Sequence, residues 1–399
     1  MFASVLVSIT LLARVIPALT ADARADTQWL DGLRGIAAAT VALNHAPLVV
    51  FSLLIRPTIF GYVQQDLVLF GFCGSIGVEF FFCITGMLFA SKVLLAESVD
   101  WTTFFSRRLR RIVPAYFAAC VWGLIVAACF TWPIKQPLGE IALALPRLFS
   151  FGLLPLPSVN GFDFIRVLGV NWTLALEWRY YLVLPIAFVL VRDLRVLAVI
   201  AIVVFAAADV LLTGHSVWIY FLSGAICAPL MHRQFGPRMR VAAYGVILLV
   251  IGVYIKHWEQ YAYYGFEHWV AMTFLFIALA VARPPLLASK PFVAMGSVSY
   301  SFYLLHSMVL VAVFQFWHVY VFDVTKLSLR LFTLLACATL AVAVGLSVVS
   351  YLYIERPFMR AAKKSSGPDN LQKEIQGVDV DIHSSAVAPL PTTSFYKRK

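Results

Sequence analysis

Apolar residues run along this chain in long blocks separated by short polar joints. A bilayer's hydrocarbon core needs about 20 mostly apolar residues in helical conformation. Blocks of that kind begin near Gly35, Gly74, Pro114, Trp172, Val196, Val217, Val241, His268, Met295 and Leu329, which predicts about ten membrane spans. Between the third and fourth, the Pro-rich stretch Thr131–Val170 contains the apolar piece Ile141–Leu154, which reads as a re-entrant or interfacial helix. After Ser365 the chain becomes rich in Ser, Pro and Asp and poor in large apolar residues, the signature of disorder. Three parts follow: an N-terminal extension at 1–29, a membrane domain at 30–360 and a disordered cytoplasmic tail at 361–399. The first residues, MFASVLVSITLLARVIPAL, read equally as a cleaved signal, a further span or a membrane-associated extension.

Composition sharpens the class. The 399 residues are 61% hydrophobic and 13% charged, with mean hydropathy +0.86, whereas soluble domains carry about 25% charge. The net charge of +11 does not imply a nucleic-acid partner, because its distribution follows topology. Lys92, Arg107, Arg108, Arg110, Arg111, Arg192, Arg195, Arg233, Arg238, Arg240, Arg283 and Lys290 fall in alternate joints, and the opposite joints hold fewer basic residues. The positive-inside rule then puts both termini in the cytoplasm. The six cysteines lack paired C-x-x-C spacing and read as small core residues, so neither a metal site nor a disulfide framework is expected.

Ionisable residues within the apolar blocks carry the functional signal, since a central charge costs ~3 kcal/mol and lines a protein interior or aqueous path. In LDGLRGIAAATVALNHA (Leu30–Ala46), Arg34 and His45 lie ~20° apart in azimuth and ~16 Å apart along a helix. One face thus carries a cation at the cytoplasmic boundary and an imidazole near the bilayer midplane. Counted from the cytoplasmic boundaries, His45, Glu79, Glu177 and His306 all come out ~16–22 Å deep, which suggests one internal site within a central pore or tunnel. His45 beside Glu79 suits general acid/base work, the carboxylate orienting the ring. Glu177 and His306 read as acceptor-side or structural, His306 as an interhelical hydrogen-bonder ahead of a second base. In FFSRRLRRIVPAY (Phe104–Tyr116), Arg108 and Arg111 share a helical face and suit phosphate recognition together with Arg34.

These segments resemble, in order, the acyltransferase-3 family of integral membrane acyltransferases that modify bacterial surface glycans. The resemblance rests on LDGLRGIAA with the Arg-x10-His of Arg34 and His45, GVEFFFCITGMLFA (Gly77–Ala90), the Arg-x-x-Arg of Arg108 and Arg111, WTLALEWRYYL, GSVSYSFYLLH and the closing IERP (Ile354–Pro357). The chain departs from the family pattern at Glu79, where Asp is common, at Thr85, where Ser is common, and at Trp178, where an acidic or polar residue is common. The resemblance is to the stand-alone form without a fused hydrolase-like domain, and it makes 30–360 the acyltransferase domain.

It implies a protein of the bacterial cytoplasmic (inner) membrane with no permanently bound cofactor. Acyl-CoA, with a bias to acetyl-CoA, would be co-substrate, and a glycan or lipid-linked glycan would be the acceptor. Arg34, Arg108 and Arg111 would hold the CoA phosphates, and His45 with Glu79 would serve catalysis by direct transfer or through an acyl-enzyme. A transporter or flippase of a lipid-linked glycan is the competing expectation from the same buried charges, and a catalytically silent scaffold is a third.

Overall fold

The computed structural model describes residues 1–54, 58–59, 62–63, 68–94, 96–193, 195–213, 216–257 and 263–365; the tail expected beyond 365 lies outside them. In chain order the helices are α1 (Phe2–Val15), α2 (Gln28–Leu54), α3 (Val68–Leu94), α4 (Trp101–Thr131), α5 (Leu138–Leu148), α6 (Ile165–Leu168), α7 (Asn171–Asp193), α8 (Arg195–Thr213), α9 (Ile219–Ile226), α10 (Pro237–His257), α11 (Phe266–Ala282), α12 (Lys290–Phe316), α13 (Leu329–Ser350) and α14 (Arg356–Ser365). Two antiparallel two-residue ladders, Thr58–Ile59 with Tyr62–Val63 and Ser158–Val159 with Phe162–Asp163, are the strands among the described residues. The molecule is an all-α, multi-pass membrane protein. Its polarity is inverted where helices face out, with Leu248, Leu249, Ile255 and Val204 exposed, as a lipid solvent requires.

Each predicted span falls on a helix, and among the described residues six helices are long and apolar enough to cross a membrane. The block beginning near Val217 is a correction. Its helix α9 has 8 residues before a tight turn at Ala228–Leu230, far short of a span. The apolar piece after Thr131 forms α5, whose Ala144 and Leu148 are buried while Leu138 and Leu143 are exposed. Helix α1 docks on α12 and α13, with Val5 and Ile9 fully buried and the Ser4 hydroxyl donating to the Cys337 carbonyl at 2.7 Å.

Helix α12 is the central post, packed against α1, α2, α4, α6 and α13. Without a hydrophobic drive between helices in lipid, close approach depends on small residues. At the α2–α12 crossing, a Cβ on Gly296 would lie 2.0 Å from the Asp31 carbonyl oxygen. At the α3–α9 crossing, a Cβ on Gly224 would lie 2.0 Å from the carbonyl oxygen of Cys83. These contacts set the azimuth of α2 and α3, and therefore where their ionisable residues point.

Candidate active site

Two cavities lie one above the other along α2 and α3. The first, of about 110 Å³, is walled by Arg34 of α2, by Thr85 and Phe89 of α3, by Arg108 and Arg111 of α4, by Glu177 and Tyr181 of α7, and by Ser299 and Tyr300 of α12. The second, of about 530 Å³, is walled by Asn44, His45 and Pro47 of α2, by Gly71, Gly74 and Ser75 of α3, and by Trp172, Tyr263 and Tyr264. Val78, Val170 and Tyr303 belong to both walls.

The three arginines singled out in the sequence meet in the first cavity. Helix α4 is started by Asp100, whose carboxylate accepts from the Thr103 amide at 3.1 Å and from the Thr103 hydroxyl at 2.6 Å. Those bonds hold the Asp100 carboxyl below its usual range. Counting from that cap, Arg108 and Arg111 sit ~10 and ~15 Å into the helix, on the face turned to the cavity. The guanidinium of Arg108 lies 4.9 Å from the centroid of the Phe89 ring, and its buried Nε has no hydrogen-bond partner among the described residues. Arg34 donates to Asp31 at 3.0 Å. Three guanidinium groups with few internal acceptors make a cavity suited to phosphate oxygens.

Glu177, read from the sequence as acceptor-side or structural, is also in this cavity, accepting a short hydrogen bond from Tyr181. The arginines lie one to three turns inside their helices, so the cationic site reaches inward to the depth of Glu177.

His45 and His306 meet in the second region, with His45 Nδ1 at 2.7 Å from His306 Nε2 and ring centroids 5.0 Å apart. The tautomers follow from a carbonyl that can only accept. His306 Nδ1 donates to the Phe302 carbonyl at 2.9 Å, so the neutral ring's Nε2 is an acceptor. His45 must then donate from Nδ1, which leaves its Nε2 with a bare lone pair. His306 is fully buried and hydrogen-bonds across helices to His45, in the place where the sequence reading put Glu79.

Glu79 is the second correction. It lies ~200° around α3 from Gly77, whose missing side chain admits Ala37 and Thr40 of α2. Glu79 thus shares the opposite stripe with Cys83 and Gly86, turned to α9 and α11. Its carboxylate stands 3.1 Å from His268 Nε2, both groups fully buried, and it faces Tyr220. The single layer of four ionisable residues is thereby three surroundings: the histidine pair, the Glu79–His268 pair, and Glu177 among the arginines. Around these groups lie the two cavities with their shared wall.

Sequence reasoning passed over Tyr181, Tyr303 and His268. Tyr181 is four residues from Glu177 and Tyr303 three from His306, spacings that put each pair on one helical face. No comparable signal joins His268 to Glu79. No group of His, Cys, Asp and Glu among the described residues could hold a metal ion.

A multi-pass helical bundle with an arginine-lined cavity set against a histidine-lined one defines a helical membrane protein that encloses ionisable groups between its helices. The chain belongs to the acyltransferase-3 family: the family model described as an acyltransferase domain matches residues 27–350. It is 25% identical over 333 residues to the O-acetyltransferase OatA of Staphylococcus aureus, a match covering 73% of this chain and 54% of that protein. It is 24% identical over 354 residues, 82% of this chain and 81% of the relative, to a Komagataeibacter xylinus protein whose name describes a membrane-bound transacylase, BcsY. A 125-residue stretch, 30% of this chain and 20% of the relative, is 32% identical to the peptidoglycan O-acetyltransferase OatA of Listeria monocytogenes. The chain spans about half the length of the S. aureus relatives it matches. No solved structure matches it.

Proposed function

We propose that this protein is an integral membrane O-acyltransferase that carries an acyl group, acetyl first among candidates, from cytoplasmic acyl-CoA to a hydroxyl of an extracytoplasmic glycan. The observation that carries the reading is the junction of the two cavities, with three arginines on one side and an oriented imidazole on the other. Family membership supports acyl transfer, and the names of the S. aureus and L. monocytogenes relatives support an acetyl group and a hydroxyl acceptor.

Arg34, Arg108 and Arg111 take the CoA phosphates, each guanidinium offering a fork of donors to phosphate oxygens. The pantetheine arm follows the ~16 Å from Arg34 to the level of His45. The acceptor occupies the larger cavity, whose Trp172, Tyr263 and Tyr264 offer flat apolar faces beside Asn44 and Ser75. The acceptor oxygen attacks the thioester carbonyl as His45 Nε2 takes its proton. The developing imidazolium is stabilised by its Nδ1–H bond to His306. The carbon–sulfur bond then breaks and the thiolate recovers that proton as free CoA. In this reading the protein works in the bacterial inner membrane, both termini in the cytoplasm, with acyl-CoA consumed and no bound cofactor.

The test is consumption of labelled acetyl-CoA by the purified protein in lipid, paired with mass spectrometry of surface glycans from a deletion strain and its complemented parent. Acetyl groups absent from the deletion strain and restored by the wild-type gene are expected. A protein that neither binds CoA nor consumes acetyl-CoA, yet moves a lipid-linked glycan across liposomes, overturns the proposal in favour of a transporter.

A further inference from the structure

Tyr303 stands where the two cavities meet, together with Val78 and Val170. All three are buried, and they come from separate elements: α3, the residue preceding α7, and α12. The tyrosine is pinned in place. Its hydroxyl is 2.8 Å from Thr173 Oγ1, and Thr173 Oγ1 donates to the Val170 carbonyl at 2.9 Å. One side of the ring packs edge-on against Phe81, with centroids 5.4 Å apart. The His306 ring lies 6.1 Å away, so a group that clears Tyr303 arrives directly at the histidine pair.

We infer that Tyr303, latched through Thr173 to Val170, is a partition that keeps the thioester in the arginine cavity away from His45 and water until acceptor is present. The inference rests on the acyl-transfer reading of the site. Its physical reason is competition. Water in the larger cavity has the same access to His45 Nε2 as a sugar hydroxyl does. If the thioester reached it unguarded, water would attack the carbonyl, the carbon–sulfur bond would break, and the water's proton would pass by His45 to the thiolate. The products would be the free carboxylic acid and CoA, with no glycan acylated. A closed partition also blocks a path for protons and ions between the arginine cavity and the larger one. Opening needs rotation of the Tyr303 ring away from Thr173 and from the Val170 carbonyl, 3.4 Å from its hydroxyl.

The latch predicts a defined phenotype. Tyr303→Phe keeps the ring and loses the hydroxyl, and Thr173→Val removes the nearer of that hydroxyl's two partners, leaving the Val170 carbonyl at 3.4 Å. Loss of one such buried hydrogen bond shifts an open–closed equilibrium by about tenfold, so both variants should hydrolyse acetyl-CoA without acceptor about tenfold faster than wild type. Tyr303→Ala, with the ring gone, should do so faster still.

The experiment compares acceptor-free hydrolysis with transfer to acceptor for wild type and the three variants, alongside CoA binding. A second readout does not depend on acyl transfer: wild type in liposomes loaded with a pH-sensitive dye should hold a proton gradient, and Tyr303→Ala should dissipate it. A raised hydrolysis-to-transfer ratio with CoA binding retained supports the partition. A wild-type ratio in Tyr303→Phe and Thr173→Val, or a gradient held equally by wild type and Tyr303→Ala, overturns it. Absence of CoA binding and turnover in wild type itself overturns the acyltransferase reading instead, and the gradient measurement still decides the partition.

Discussion

Replacing His306 by phenylalanine conserves a ring of similar size beside Phe302 while removing the acceptor for His45 Nδ1, now 2.7 Å away. In the resting enzyme that contact is a neutral hydrogen bond. In the transition state His45 carries a positive charge, and the same bond becomes charge-assisted. Hydrogen bonds to charged groups contribute ~1.5–3 kcal/mol, so kcat should fall by about 10–150-fold. The loss has a second part, since an unheld ring can turn or place its proton on Nε2 and present the wrong nitrogen to the acceptor. The arginines lie in the other cavity, so the KM for acetyl-CoA should change little, which separates loss of orientation from general damage. His306→Gln, whose amide oxygen can accept, should recover part of the rate. Steady-state kinetics in lipid with acetyl-CoA and a glycan acceptor measure all three values. A folded His306→Phe enzyme with kcat within about threefold of wild type would show that the pair does not orient a base.

Other substitutions probe the rest of the site. Arg111→Ala should raise the KM for acetyl-CoA by about 10–100-fold with a smaller effect on kcat, as loss of a charge-assisted phosphate contact requires; calorimetric titration with CoA reads it independently, and unchanged affinity would remove Arg111 from the donor site. Glu79→Gln should leave kcat within a few-fold of wild type but cost about 1–3 kcal/mol of stability through its fully buried contact with His268; loss of transfer at an unchanged melting temperature would return Glu79 to the chemistry. Gly224→Ala should force α3 and α9 apart, because its Cβ would lie 2.0 Å from the Cys83 carbonyl oxygen, at a cost of ~1–3 kcal/mol. Thermal unfolding in detergent checks this, and a wild-type melting temperature would mean the crossing is looser than these contacts require.

Much of this was legible along the chain because hydrophobic period and local spacing are one-dimensional quantities. The blocks from Gly35 to Leu329 predicted where helices lie, and the eleven-residue step from Arg34 to His45 put cation and imidazole on one face, where they line two adjoining cavities. Arg108 and Arg111, three apart on α4, were expected beside Arg34, and they line the same cavity. The depth count held for His45 and His306, which meet across two helices, but not for Glu177, which lies beside Arg34.

What the linear order left open is which neighbour each face meets. Glu79 has the depth expected of a partner for His45, yet Gly77 rather than Glu79 faces α2, and the carboxylate is turned to His268 nearly two hundred residues away in the chain. Glu177 joins the arginines because α4 carries its charges inward from the cap at Asp100. The partition at Val78, Val170 and Tyr303 exists only once three elements converge. Residue spacing sets depth and azimuth on a single helix, but the rotation of one helix against another is decided by close contacts such as those of Gly224 and Gly296, and these form only in the packed bundle.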